Sequence, residues 1–161
     1  MPTHPTARLI LCLATLYPFA AQAAEHWYSH DHLYFHAGTY VHFNSDEDYD
    51  GERIFAGLEA IKSNGRLYGL NLFNNSFNQF SQYLYGGKSW DLPGKVEGFQ
   101  IKITAGLIHG YTGRFKDKIP FNDLGIAPAI IPSIGYRKGR FGAEAFVFGF
   151  SGLLFTAGME F

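Results

Sequence analysis

From residue 24 onward, apolar and polar residues alternate with a period of two in one segment after another, the pattern of strands buried on one face. The clearest run is 99–107. There Phe99, Ile101, Ile103, Ala105 and Leu107 share one face, and Gln100, Lys102, Thr104 and Gly106 share the other. The chain ends in the same way, with Leu153, Phe155, Ala157, Met159 and Phe161 alternating with Leu154, Thr156, Gly158 and Glu160. Turn residues between such runs divide the sequence into eight predicted strands, near 33–43, 53–62, 66–74, 80–89, 97–110, 125–136, 140–149 and 152–161. Ser63-Asn64-Gly65, Asp91-Leu92-Pro93-Gly94 and Lys138-Gly139 read as tight turns, while 44–52 and 111–123 read as longer polar loops.

Eight strands of about ten residues match the ~9–11 residues a tilted strand needs to cross a bilayer. A closed barrel satisfies every backbone group in lipid, which an open sheet does not. Short turns at one end and longer loops at the other are the habit of outer-membrane barrels. The expected fold is therefore all-β, an eight-stranded antiparallel transmembrane β-barrel of the bacterial outer membrane. The competing arrangement is a soluble eight-stranded barrel or sandwich with an apolar core. A barrel this narrow has its lumen filled by side chains or by one small ligand, so it is no general porin.

Composition agrees with this. The 16 Phe, 10 Tyr and 2 Trp together with 19 Gly favour short strands and tight turns. A formal net charge of −1 with no basic run argues against a nucleic-acid partner. The lone Cys12 excludes a disulfide framework and a cysteine zinc site. Residues 1–23 carry Arg8, the apolar stretch Leu9-Ile10-Leu11-Cys12-Leu13-Ala14-Thr15-Leu16 and the closing Ala21-Gln22-Ala23, the features of a cleaved secretory signal. The barrel domain would then occupy 24–161, with its N-terminus in the periplasm and its first strand running outward.

Three features depart from a plain barrel. Pro128 and Pro132 stand inside an apolar strand, where proline has no amide to give the ladder, and so imply a local gap in the wall through which a lipid tail could pass. In the seventh strand Gly142, Glu144, Phe146, Phe148 and Phe150 share one face, and a lumen lined in this way suits a hydrocarbon chain. On the first strand Tyr34, His36, Gly38, Tyr40 and His42 share one parity, which points both histidines into the lumen with His42 nearer the outer rim. The loop holding Asn74, Asn75 and Ser76 falls at the same rim, where histidine and serine can act as base and hydroxyl in acyl transfer. The run His26, His30, His32, His36 has chelating intervals but no helix to present them, so no metal or other cofactor is expected.

Those residues carry a family resemblance. Phe73-Asn74-Asn75-Ser76-Phe77-Asn78-Gln79-Phe80, followed by Tyr85-Gly86-Gly87, resembles the active-site segment F-x-D-S-W-N-x-W…G-Y-G of the PagP lipid A palmitoyltransferases. Pro128-Ala129-Ile130-Ile131-Pro132-Ser133-Ile134-Gly135-Tyr136 is similar to that family's P-x-L-L-P…V-G-Y strand, and the closing strand is similar too. The resemblance implies a monomeric outer-membrane enzyme that moves a palmitoyl chain from a phospholipid donor to a hydroxyl of lipid A, its partners being membrane lipids. It places the catalytic serine on Ser76 and the histidine on His42, with His36 as the alternative. It puts Asn75 where the family has aspartate, and Gly87 at the end of the acyl pocket. Pro128 and Pro132 would flank the lipid entry. Two other activities remain compatible with the residues: a lipid A deacylase, and a non-enzymatic barrel binding hydrophobic ligands.

Overall fold

The computed structural model describes residues 31–43, 54–94, 97–149 and 152–161. The predicted signal at 1–23, His26 and His30, the loop 44–52 and Phe150 lie outside the described residues.

Eight strands form in chain order: β1 (His32–His42), β2 (Phe55–Ile61), β3 (Arg66–Asn74), β4 (Phe80–Asp91), β5 (Phe99–His109), β6 (Ile126–Lys138), β7 (Phe141–Val147) and β8 (Gly152–Glu160). Each pairs antiparallel with the next, and β1 returns to β8 from Tyr34↔Glu160 to His42↔Gly152, closing the barrel. Short connections gather at one pole. The first shows why: Lys62 donates its amide to Arg66 at 2.8 Å, leaving a three-residue loop that ends on Gly65 at φ 79, a conformation glycine adopts without strain. Beside it the Ser63 hydroxyl and amide bond the Asp31 carboxylate and lower its pKa. The opposite pole carries the longer loops, including a 3-10 turn at Gly113–Lys118 inside a stretch expected to be plain loop.

The side-chain pattern is inverted relative to a protein folded in water. Outward positions hold Phe35, Leu58, Leu84, Ile103 and Phe155, with Ile130 74% exposed, whereas inward-facing Lys102 is 1% exposed and Glu59 and His36 are 0% exposed. This disposes of the soluble barrel with an apolar core, because lipid is the solvent that such an exterior favours.

The lumen is less uniform than its phenylalanines imply. Toward the loop pole it does hold an aromatic chamber, in which Phe55 lies against Phe73 and Phe146 with ring centres 6.1 and 6.4 Å apart, and Leu154 and Ile131 close the packing. Below that chamber the lumen carries buried charge. The Lys102 ammonium lies 2.6 Å from Glu59 and 2.8 Å from Glu144. The Tyr85 hydroxyl donates to Glu59 at 2.8 Å, and the Ser133 hydroxyl to Glu144 at 2.5 Å. A hydrocarbon-lined lumen is thus correct for the loop half only. An ionic waist stops it, because buried charge is tolerated where it is paired and hydrogen-bonded, and these groups pair with one another.

The wall also has the interruption that the prolines imply. β5 and β6 pair without a break from Phe99↔Tyr136 to His109↔Ile126, but β6 and β7 pair only from Ser133↔Phe146 to Lys138↔Phe141. Arg137 gives its amide to Gly98 on the β5 side, and amides alternate sides along a strand. The even-numbered positions of β6 therefore face β7, and of these Pro128 and Pro132 have no proton to offer it. The ladder stops just short of the first of these gaps, at Pro132.

Candidate functional site

Two parts of the chain meet at the loop pole. His42 is the last residue of β1, and the alternation that buries Tyr34 and His36 also turns it inward. Ser76 sits in the five-residue connection 75–79 between β3 and β4. The Nε2 of His42 and the Oγ of Ser76 are 2.6 Å apart. In the tautomer with its proton on Nδ1, His42 accepts the serine hydroxyl proton, the arrangement of a base and its nucleophile. The ring of Tyr40 stands edge-on to His42 at 4.4 Å, and Phe148 in turn stands edge-on to Tyr40 at 5.5 Å. Those rings lead from just past the end of β7, where its pairing with β6 has stopped, to the histidine.

The serine loop is held from within by Asn75, which is 3% exposed. Its Oδ1 accepts the amides of Phe77 and Gln79, each at 3.0 Å, and its Nδ2 donates to the carbonyl of Gly110 at 3.3 Å and to Gln79 Oε1 at 3.4 Å. An amide whose two ends are both occupied in this way fixes the loop. Its contacts are with the loop that carries Ser76 and with Gly110, so Asn75 orients Ser76 by holding that loop. Only an amide can make this set of contacts, since a carboxylate has no proton for Gly110.

A second loop braces the first. Gln79 Nε2 donates to the hydroxyl and carbonyl of Thr112 at 3.2 and 3.3 Å, and its Oε1 accepts the Thr112 amide at 3.2 Å. Phe77 stacks on Phe115 with ring centres 4.2 Å apart. Asn122 gathers the far side of that loop by donating to the carbonyls of Tyr111 and Lys116 at 2.7 and 2.9 Å. Sequence reasoning missed Gln79, Thr112, Phe115 and Asn122. Loop-to-loop contacts leave no periodicity, and only the concentration of Asn, Gln and aromatics marked these stretches.

The remaining candidates lie apart from this pair. His36 is enclosed by the rings of Tyr34, Phe55 and Phe146 at 5.4–5.8 Å, so Ser76 bonds His42 and not the alternative. Gly87 is paired with Thr104, one inward position from Lys102, at the depth of the ionic waist. A Cβ there would run into the Ile103 carbonyl, so close approach of β5 already accounts for the glycine. Pro128 and Pro132 face outward along the interrupted seam. Among the described residues no three His, Cys, Asp or Glu side chains converge as metal ligands.

No protein-family model and no curated protein matches the chain. Solved structures do. A de novo designed transmembrane β-barrel aligns with a TM-score of 0.56 at 11% identity, over 83% of this chain and 98% of that one. The chain is an eight-stranded barrel of the transmembrane type. The N-terminal β-barrel domain of Pseudomonas aeruginosa OprF aligns over 82% of this chain and 98% of its own, with a TM-score of 0.47 and 14% identity. Such likeness concerns the fold, and the chemistry has to be argued from the barrel's own residues.

Proposed function

We propose that the protein is an outer-membrane lipid A acyltransferase that takes a palmitoyl chain from a glycerophospholipid and esterifies it to a lipid A hydroxyl. The observation that carries this reading is the His42–Ser76 contact of 2.6 Å, formed by residues from separate hairpins at the mouth of an aromatic chamber. The donor's tail enters at the β6–β7 seam and lies against Phe148 and Tyr40, which brings its ester toward Ser76. His42 takes the hydroxyl proton as Ser76 Oγ attacks the ester carbonyl. The tetrahedral intermediate collapses with cleavage of the bond between the acyl carbon and the glycerol oxygen, and His42 returns the proton to that oxygen of the departing lysophospholipid. A lipid A hydroxyl then attacks the acyl-serine, His42 again accepting and returning one proton, which restores Ser76. The amides of Phe77, Asn78 and Gln79 are committed inside the loop, so charge on the intermediate is met from elsewhere at the rim.

Lipid A mass spectrometry tests this in cells that lack any such acyltransferase, with and without the protein. A gain of one palmitoyl group supports the reading. Unchanged lipid A with the barrel folded in the outer membrane returns the choice to a hydrophobic-ligand barrel, and loss of an acyl chain identifies a deacylase.

A further inference from the structure

The outer wall carries a second feature, near the opposite pole from His42. A groove of about 400 Å³ crosses the lipid-facing side of β1–β4 and is lined by Phe35, Leu58, Ala60, Tyr68, Leu70 and Leu84, among others. Its floor is low because β2 presents Ala56 and Ala60 outward on either side of Leu58. Ala60, although outward-facing, is covered to 9% exposure and has Leu33 and Tyr68 as its cross-strand neighbours.

Directly toward the turn pole from this groove, three cations stand in a row across neighbouring strands. Lys62 is bonded through its amide to Arg66, and Arg66 lies directly opposite Lys88. Lys62 has Asp31 beside it. Arg66 and Lys88 are exposed, and among the described residues no carboxylate forms an ion pair with either. Like charges directly opposite on one sheet face repel, so a pair in this register is unfavourable unless an anion lies between them. The depth is also marked: the Lys88 ammonium lies 5.6 Å from the ring centre of Trp90, and Tyr68 borders the groove, the aromatic signature of a membrane interface.

We propose that this groove and its cationic edge form a seat for an anionic glycerophospholipid of the periplasmic leaflet. Its phosphate lies between Arg66 and Lys88, and one acyl chain runs up the groove over Ala60 toward Leu70 and Leu84. The seat is separate from the His42–Ser76 site. It rests on the outer-membrane placement proposed above, but not on acyl transfer.

The test is native mass spectrometry of the purified barrel, released from micelles containing equimolar phosphatidylglycerol and phosphatidylcholine with identical chains. Wild type retains one phosphatidylglycerol in preference to phosphatidylcholine by about thirtyfold, the effect of two cations near a lipid surface at about 1 kcal/mol each. R66Q/K88Q loses the preference, and Ala60→Phe, which fills the groove without touching the charges, loses retention of both lipids. Acyl transfer by R66Q/K88Q stays at the wild-type level, so failure of the seat and failure of the enzyme give separate signals. Absence of retained lipid, equal retention of the two by wild type, or an undiminished preference in R66Q/K88Q overturns the proposal. So does lipid A competing as well as phosphatidylglycerol for the same residues.

Discussion

The Nε2 of His42 lies 2.6 Å from the Oγ of Ser76, a contact that joins the end of β1 to the loop after β3 across 34 residues of sequence. If these two atoms act as base and nucleophile, His42→Ala and Ser76→Ala each lower acyl transfer by about 100- to 10,000-fold. Both variants keep the heat-modifiable gel mobility of a folded barrel. The double variant is no worse than either single one, since the pair works as a unit. Two single variants with full activity would remove the site from these residues.

On the same proposal Asn75 acts through geometry alone. Asn75→Ala abandons the amides of Phe77 and Gln79 and the carbonyl of Gly110, at a cost of about 1–3 kcal/mol for each group left buried and unpaired. Asn75→Asp retains the two amide bonds and loses the donations to Gly110 and to Gln79 Oε1, so its activity falls between wild type and Asn75→Ala. Amide exchange at 75–79 checks the cause, because it should rise in the same order. A loss of activity with unchanged exchange would give Asn75 a direct chemical role.

The barrel was legible in the sequence because a period-two pattern reports directly on a strand with two unlike faces. The eight predicted segments agree with the observed strands to within about two residues at most ends. His42 and Ser76 could be placed at one rim from the same parity. What the pattern does not report is how inward side chains meet across the lumen. Lys102 and Glu144 each stood visibly on a polar or mixed face, and Glu59 shares the inward parity of Phe55 and Ile61, yet nothing local to any one strand says that the three converge. The bracing of the serine loop by Gln79, Thr112 and Phe115 was hidden for the same reason. Asn75, read as a departure from an aspartate, shows its purpose only with Gly110 beside it.

The ionic waist supplies a stability prediction with a sign. Lys102→Met leaves Glu59 and Glu144 facing each other in the lumen without their cation, which destabilises the barrel by about 3–5 kcal/mol in urea unfolding. The triple variant E59Q/K102M/E144Q removes all three charges together and recovers most of that loss. If Lys102→Met alone were neutral, water would be reaching the waist and the lumen would not be closed there.

The seam between β6 and β7 can be read from amide protons. In β6 the odd positions donate toward β5, as Arg137 does to Gly98, and Ile131 lies opposite Thr104 in that unbroken ladder. Ile130 points its amide the other way, beyond the last β6–β7 pair at Ser133↔Phe146. In micelles the Ile130 amide therefore exchanges about tenfold faster than that of Ile131, the difference one net hydrogen bond makes. Pro132→Val supplies the missing donor next to that last pair, opposite Val147 at the end of β7. This variant should slow exchange at position 134 and its neighbours along the seam. It should also lower acyl transfer by narrowing the donor's entry, while leaving hydrolysis of a short, water-soluble ester at Ser76 unchanged. Equal losses on both substrates would mean that Pro132 supports the His42–Ser76 pair and that lipid enters elsewhere.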